Sequence, residues 1–216
     1  MACRACSIDV IHHDAYEWDA WRPERVAPLL ADVDVPWYVA AGWAIDLFLG
    51  GERREHEDLE IAVPGARFMQ VVPALADLEV FVVGPDAGIV RPLAEAQHLL
   101  EPTHQTWVRD PRARVWRFDI FREPSDGDTW VCRRDASIRL PYDRVIDRTA
   151  DGIPYGRPEI VLLYKAKHTR PKDDDDFAAA LPHLDSEQRR WLVDALELVH
   201  PGHRWLGALA DPAHSR

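Results

Sequence analysis

Two acidic residues stand two positions apart in a segment that otherwise has the composition of a β-strand. Asp58 and Glu60 flank Leu59 and lead into the apolar run Ile61-Ala62-Val63. Because side chains alternate between the two faces of a strand, both carboxylates are expected to leave the same side. Two like charges this close repel each other, and a cation between them offsets the repulsion. Mg²⁺ takes carboxylate oxygens and substrate phosphates as ligands, so the pair predicts metal-dependent phosphate chemistry.

A third carboxylate, Asp119, lies within a second apolar segment that is predicted to form a strand. Alternation places Val115, Arg117, Asp119 and Phe121 on one face of that strand and the apolar residues between them on the other. An acid on a strand is often solvated or paired with arginine, and Arg117 and Arg122 are near enough to serve. The residues alone therefore leave the role of Asp119 open.

The segment before the acidic pair has the order strand, turn, helix. Residues 36–40 are a short apolar run, Ala41-Gly42 are two small residues, and residues 43–49 are predicted to form a short helix. Gly50-Gly51 then closes that helix, because glycine readily adopts the left-handed cap conformation. A small-residue turn that leads into a helix brings backbone N–H groups to one point, and such a point binds phosphate.

A basic loop connects this helix to the acidic pair. It contains Arg53, Arg54 and His56, and cations near a phosphate-binding turn favour an anionic ligand. We expect Asp46 to brace the turn structurally. A histidine in a loop is more often exposed than bound to phosphate, and we expect the same of His56.

At these residues the chain resembles the DNA polymerase beta-like nucleotidyltransferase superfamily, and within it the aminoglycoside and lincosamide nucleotidyltransferases. Their motif is a Gly-Gly or Gly-Ser turn, a short helix and an acid-hydrophobic-acid triplet, which corresponds here to residues 37–63. A looser similarity continues to about residue 205. Two positions depart from the pattern: Ala41 replaces the first turn glycine, and Glu60 replaces the usual aspartate.

The resemblance implies a reaction in which a substrate hydroxyl attacks the α-phosphate of a nucleotide, ATP by default, and pyrophosphate leaves. It implies that Asp58, Glu60 and Asp119 are the catalytic and Mg²⁺-binding residues, with Asp119 close to the acceptor hydroxyl as a base or as a metal ligand. A helical lysine reaches the triphosphate in some members, and the candidates here are Lys165, Lys167, Arg170 and Lys172, although a charged helix-turn-helix explains the same residues. The predicted nucleotide-binding residues are Ala41, Gly42, Trp43, Arg54, Lys165 and Lys167.

Three hypotheses about the acceptor follow. The first is a small molecule with a hydroxyl group, such as an aminoglycoside-like antibiotic. The second is transfer RNA or a protein, as in toxin-type nucleotidyltransferases, with a basic patch as its motivation. The third is a non-catalytic nucleotide-binding homologue, which Ala41 and Glu60 motivate. The arginines of the basic patch are Arg112, Arg114, Arg117, Arg133 and Arg134.

Composition constrains these hypotheses. The chain has 216 residues, 47% of them hydrophobic, with a formal net charge of −11 and a pI near 5.3. An acidic balance disfavours nucleic acid as a partner and suits a cationic small molecule, because an acidic cleft concentrates cations. No segment has the apolar length of a membrane span, no signal peptide is indicated, and a cytoplasmic location is predicted. The sequence gives no indication of the oligomeric state.

Cys3 and Cys6 form a Cys-x-x-Cys pair with His12 and His13 nearby. A second pair at metal-ligand spacing is missing, so reduced thiols are favoured over a zinc site. The run Asp173–Asp176 is interpreted as structural, because acids are favoured at a helix N-terminus.

We predict an α+β fold, with a mixed β-sheet nucleotidyltransferase core, flanking helices and a C-terminal helical segment. The boundaries are a flexible N-terminal tail over 1–15, a nucleotidyltransferase domain over 16–152 and the C-terminal segment over 153–216. The breaker-rich stretch 151–158 marks the second boundary. Among the predicted elements are helices over 25–33 and 66–76, a strand over 79–83, and a hairpin at 125–128.

Overall fold

A mixed β-sheet runs through the described part of the chain, in the strand order β1-β5-β4-β6-β7-β3-β2-β12-β11, and a smaller sheet has the order β10-β9-β8. The computed structural model describes residues 11–12, 15–86 and 88–210. The strands are β1 Ile11–His12, β2 Tyr38–Val39, β3 Glu60–Pro64, β4 Glu79–Val83, β5 Ile89–Pro92, β6 Gln105–Asp110, β7 Val115–Glu123, β8 Ser125–Asp126, β9 Thr129–Val131, β10 Arg139–Pro141, β11 Ile146–Arg148 and β12 Pro154–Gly156. The α-helices are α1 Pro23–Val26, α2 Ala41–Phe48, α3 Leu93–Ala96, α4 Pro158–Lys165, α5 Pro171–Ala180, α6 Ser186–Val199 and α7 Trp205–Leu209.

The centre of the large sheet is the parallel pair β3 and β7, in which Glu60 is the register partner of Asp119. Ile61, Phe118 and Ile120 in these strands are fully buried. Strand β2 continues the sheet antiparallel to β3, and β12 then pairs parallel to β2. Because parallel and antiparallel pairs occur together and helices pack beside the sheet, the predicted α+β class is confirmed.

Helix formation in the first half of the chain is weaker than predicted. The expected helix over 25–33 is a short α-helix, α1, followed by a 3-10 turn at Ala27–Leu30. The expected helix over 66–76 is wrong, because two 3-10 turns, Gly65–Gln70 and Val72–Leu75, take its place. Pro73 has no N–H to donate, and the residue before a proline avoids the α region, so an α-helix cannot run through this position.

The predicted strand over 79–83 and the hairpin at 125–128 are confirmed. Strand β4 has the predicted bounds. In the hairpin, Asp126 pairs with Thr129, and Gly127 in the turn has a φ of 57°. That backbone conformation is readily available to glycine.

Residues 158–210 are mainly helical, as predicted for the C-terminal segment, although β12 at 154–156 belongs to the large sheet. Helix α4 packs against α2, α5 and α6. Asp185 caps α6 by accepting hydrogen bonds from the N–H groups of Glu187 and Gln188. Among the described residues, no helix has the length and apolarity needed to cross a membrane.

The N-terminal predictions fall mostly outside the described residues. Cys3, Cys6 and His13 lie there, as does most of the predicted tail over 1–15. Ile11–His12 pair antiparallel with β5 at one edge of the sheet. Cys132 is a free, buried thiol.

Candidate active site

The structure brings Glu60 and Asp119 together, because they are direct neighbours on parallel strands β3 and β7. The N–H of Asp119 donates to the carbonyl of Leu59 at 2.8 Å, and the N–H of Ala40 donates to the carbonyl of Glu60 at 2.8 Å. The backbone bonds therefore fix Asp119 beside the acidic triplet and Glu60 beside the Ala41 turn. Asp58 precedes β3 and is partly buried.

Asp119 is held by three donors from strand β6. Gln105 Nε2 donates to its Oδ2 at 2.7 Å, and the N–H of Thr106 donates to its Oδ1 at 3.2 Å. The side chain of Trp107 also hydrogen-bonds to it. Only 4% of Asp119 is exposed. The two arginines that the sequence offered as partners of Asp119 bind other residues. Arg117 binds Asp19 and Asp110, and Arg122 binds Thr106 through its side chain.

Burial and mutual repulsion raise the pKa values of these carboxyls. Burial raises the pKa of Glu60 to about 8, with further contributions from the charges of Asp58 and Asp119. Burial also raises the pKa of Asp119 to about 7, although its hydrogen bonds act in the opposite direction. The charges of Lys165 and Lys172 lower the pKa of Glu60 but do not offset these contributions.

The chemistry of this donor set fits a hard divalent cation, since a cation would relieve the repulsion that raises both pKa values. The carboxylate oxygens of these residues are not arranged around a common metal position. Within the described residues, no group of three His, Cys, Asp or Glu side chains is close enough together to hold a metal ion. Mg²⁺ is usually bound by one or two carboxylates together with substrate phosphates and waters, so Asp58 and Glu60 would suffice as its protein ligands.

The turn before α2 approaches its neighbours closely. Ala41 has a φ of 50°, in the left-handed region that suits glycine better than alanine. At Gly42, a Cβ atom would lie 2.2 Å from Arg54 Nη2 and 2.8 Å from His56 Cε1. Arg54 and His56 therefore lie directly against the turn, and Gly42 is required for that contact.

Asp46 braces the basic loop, as expected. It is 1% exposed and accepts hydrogen bonds from the N–H of Arg53 at 3.1 Å and from Arg53 Nε at 3.2 Å. Its Oδ2 also lies 2.7 Å from His56 Nε2. The expectation that His56 is exposed is wrong, because 3% of its side chain is accessible and its ring stacks on Trp43 with centroids 4.3 Å apart.

A buried carboxylate, Asp176, connects this loop to the C-terminal helices. It is fully buried and accepts from Arg53 Nη2 at 2.8 Å, Arg54 Nη2 at 3.3 Å and Lys165 Nζ at 2.9 Å. Asp173, also buried, accepts from Lys165 at 2.9 Å. The structural interpretation of the aspartate run thus agrees with the contacts of these two residues.

A cavity of about 400 Å³ opens beside the turn, and its lining does not include Asp58, Glu60 or Asp119. Ala41 and Gln105 line it, as do Ala62 and Phe121, which share their strand faces with Glu60 and Asp119 because side chains two positions apart point the same way. One acidic residue, Glu123, also lines the cavity, and the basic residues are Arg133, Arg134, Lys165, Lys167 and Arg170. Such a lining attracts a polyanion.

Sequence reasoning missed the Glu123 cluster in this cavity. Glu123 is 3% exposed and accepts a hydrogen bond from the Tyr164 hydroxyl at 2.9 Å. Arg133 pairs with its other oxygen at 3.2 Å. A signal was available, since Glu123 follows Asp119 at an even spacing in the segment that forms β7.

The arginines of the predicted basic patch do not form one surface. Arg112 and Arg114 lie in the turn at the start of β7, whereas Arg133 binds Glu123 at its other end. Eight residues of strand separate the two ends, which corresponds to roughly 26 Å. Arg117 is buried. These five arginines therefore do not form one local patch.

Comparisons with known proteins agree with this architecture. A family model described as aminoglycoside-2''-adenylyltransferase matches residues 24–100. The chain is similar to the lincosamide antibiotic adenylyltransferase LnuA in its lincomycin-bound structure, with 16% identity, a TM-score of 0.50 and coverage of 72% of this chain and 92% of that chain. It is also similar to ANT(2")-Ia in complex with adenylyl-2"-tobramycin, with 16% identity, a TM-score of 0.53 and coverage of 81% and 94%. Curated protein sequences yielded no match.

At these identities the solved structures establish a shared fold, and the family model falls on the segment that contains the turn, α2 and the acidic triplet. The resemblance predicted from residues 37–63 is thereby confirmed: the chain has the fold of the nucleotidyltransferase superfamily and is similar within it to the aminoglycoside and lincosamide nucleotidyltransferases.

Proposed function

We propose that the protein is a metal-dependent nucleotidyltransferase that transfers AMP from ATP to a hydroxyl group of a small-molecule antibiotic. The observation that carries this proposal is the position of Glu60 and Asp119. They are neighbours on parallel strands, beside a phosphate-binding type of turn and a cavity with a cationic lining. Carboxylates next to a polyanion pocket are what nucleotidyl transfer needs.

In this proposal each element has a defined task. The N–H groups of the turn at Ala41, Gly42 and Trp43 bind phosphate oxygens, and Arg54 and Lys167 add positive charge. Bound Mg²⁺ supplies neutralisation of phosphate charge, and Asp58 and Glu60 are the residues that would hold it, with Asp119 beside them.

The transfer itself is a displacement at the α-phosphorus. The acceptor oxygen forms a bond to that atom, the bond to the bridging oxygen breaks, and pyrophosphate leaves with the electron pair. Asp119 takes the proton of the acceptor hydroxyl. Its fixed position beside Glu60 on the neighbouring strand suits a general base, for which geometry comes before pKa.

The acceptor class is suggested by the similar proteins. LnuA binds lincomycin and ANT(2")-Ia forms adenylyl-2"-tobramycin. We therefore propose an aminoglycoside or a lincosamide as the acceptor, each of which presents sugar hydroxyls.

The test is pyrophosphate release from purified protein with Mg²⁺, each nucleoside triphosphate in turn and a panel of both antibiotic classes. We expect turnover with ATP and at least one acceptor. Asp58→Asn should reduce it at least about 100-fold, as expected when an electrostatic group in the transition state is removed. Glu55→Gln is the matched control, since Glu55 is an exposed acid of the same loop, and its activity should be unchanged.

Two results would contradict the proposal. Full turnover in Asp58→Asn would eliminate the mechanism. Calorimetric binding of ATP with no turnover across the panel would favour the non-catalytic homologue, which the left-handed backbone at Ala41 and the longer side chain of Glu60 motivate. Expression toxicity that disappears with Asp58→Asn would favour a tRNA or protein acceptor.

A further inference from the structure

Lys165, the helical lysine expected to reach the triphosphate, is already neutralised. Its Nζ lies 2.9 Å from Asp173 Oδ1 and 2.9 Å from Asp176 Oδ2, and 7% of its side chain is exposed. To meet a phosphate, this ammonium group would have to give up its ion pairs with two buried carboxylates, although Asp176 would keep Arg53 and Arg54 and Asp173 would keep Arg170. Breaking buried ion pairs of this kind destabilises a fold.

Arg170 differs from Lys165 in that its side chain is largely exposed to solvent. Its side chain is 61% exposed, yet it lines the same cavity as Ala41 and Lys167. Asp173 is the main cause of its raised pKa, and Glu60 and Asp58 contribute at longer range. The guanidinium therefore lies within electrostatic reach of the acidic pair while remaining accessible to a ligand.

The position of Arg170 is fixed by its hydrogen bonds to Asp173. Asp173 accepts from Arg170 Nε at 2.9 Å, from Arg170 Nη2 at 3.2 Å and from its backbone N–H at 3.0 Å. Arg170 also precedes Pro171, the first residue of the ten-residue helix α5. The positive end of that helix dipole thus adds to the guanidinium charge at the cavity.

We propose that Arg170, held by Asp173, is the cation that contacts the β- and γ-phosphates of the bound nucleotide, and that Lys165 is a structural residue joining α4 to α5. The inference rests on the proposed function. A guanidinium offers five donors in a planar fork, so Arg170 can bind Asp173 on one edge and phosphate oxygens on another. Lys165, by contrast, is buried and spends two of its three N–H donors on Asp173 and Asp176.

The test is calorimetric binding of ATP and AMP, both with Mg²⁺, to the full-length protein and its variants. Arg170→Ala should weaken ATP binding about 10- to 100-fold, the range for loss of charge-assisted hydrogen bonds, and should change AMP binding less than about twofold, because AMP lacks the outer phosphates. Arg170→Lys should recover part of the loss, since it keeps the charge without the fork.

Two further variants separate this role from structure. Arg204→Ala is the matched control, because exposed Arg204 also pairs with an aspartate of α5, Asp174, and does not line the cavity; its ATP affinity should be unchanged. Lys165→Met should lower the melting temperature while the folded protein keeps ATP affinity within about threefold of wild type, the size of a small indirect effect.

Unchanged ATP affinity in Arg170→Ala overturns the inference, as does equal weakening of ATP and AMP. Loss of ATP binding in folded Lys165→Met with Arg170→Ala unaffected returns the role to Lys165. If Lys165→Met does not fold, the Arg170 variants decide alone. If the wild-type protein binds no triphosphate, the proposed function itself is wrong. That outcome is distinct from the results above, which concern only the role of Arg170.

Discussion

Ala41 is the residue at which this chain departs in the most directly measurable way from the nucleotidyltransferase motif that it resembles. Its φ of 50° costs an alanine roughly 1–2 kcal/mol relative to the right-handed region, and glycine would not incur that cost. Ala41→Gly should therefore stabilise the protein by about 0.5–1 kcal/mol, after subtraction of the greater unfolded-state entropy of glycine. Urea denaturation measures the change in the free energy of unfolding.

Ala44→Gly provides the control of opposite sign. Ala44 is fully buried in the same helix, α2, and its backbone is not in the left-handed region. This substitution should destabilise the protein by about 1 kcal/mol, because glycine is unfavourable in a helix interior. If both variants lose stability equally, Ala41 is not strained.

At the residue scale, the sequence identified the acidic triplet, the turn and the bracing role of Asp46, because each depends on local spacing. It did not identify the neutralisation of Lys165 or the burial of His56. Both depend on side chains distant in the chain, such as Asp176 for Lys165 and Trp43 for His56. Such pairings are decided by the packing of helices on the sheet, which spacing does not encode.

At the scale of elements, the connection between α4 and α5 predicts a specific response to acid. Asp173 is 1% exposed. Burial acts to raise its pKa, but the hydrogen bonds from Arg170 and Lys165 lower it by more, so the pKa lies well below the ordinary value. The folded state thus binds fewer protons than the unfolded state as the pH falls below about 4. Asp173 therefore stabilises the fold above that pH, and its contribution is lost as the pH decreases through the acid range.

Asp173→Asn should lower the free energy of unfolding at pH 7 by about 3–5 kcal/mol, since it leaves Lys165 and Arg170 without part of their counter-charge. It should also flatten the loss of stability between roughly pH 4 and pH 2. Urea denaturation over that pH range tests both effects. Asp175→Asn is the control, because Asp175 is the exposed neighbour, and a pH profile as steep in Asp173→Asn as in wild type would contradict the assignment.

Strands were easier to predict than helices in this chain, for a physical reason. Strand β4 is almost entirely apolar and is followed by Gly84-Pro85, whereas β7 alternates apolar and polar residues over positions 116–120 and is followed by Pro124. The segment 66–76 also has apolar residues at helical spacing, but Pro73 prevents a continuous α-helix and two 3-10 turns form. A periodic pattern indicates which side is buried, whereas the hydrogen bonds available to each residue decide the element.

At the scale of the whole molecule, composition was a poor guide to the site. The net charge of −11 suggested an acidic cleft for a cationic ligand, but the cavity beside the turn has a mainly basic lining. Acidic residues instead surround a groove of about 1180 Å³ on another face, between residues 24–37 and 142–154. Net charge is a sum over the whole molecule and does not show where on the surface the acidic and basic residues lie.

The packing of the whole molecule makes a prediction about cooperativity. Buried residues of the sheet and of the C-terminal helices, among them Ile61 and Leu196, belong to one continuous hydrophobic core. Strand β12 lies within the sheet, and Asp176 binds Arg53 and Arg54 of the basic loop. Separate unfolding of residues 153–216 would therefore expose core on both sides and leave Asp176 and these arginines unpaired.

We expect a single reversible unfolding transition with equal calorimetric and van't Hoff enthalpies, the behaviour of one cooperative unit. Leu196→Ala in α6 should lower the free energy of unfolding by about 2–5 kcal/mol, and Ile61→Val in β3 should lower it by about 0.5–1.5 kcal/mol. Neither variant should split the transition in two. Leu196 and Ile61 are both fully buried, so the two variants perturb the same core from opposite ends of the chain. A second transition in Leu196→Ala would mean that the C-terminal segment unfolds independently.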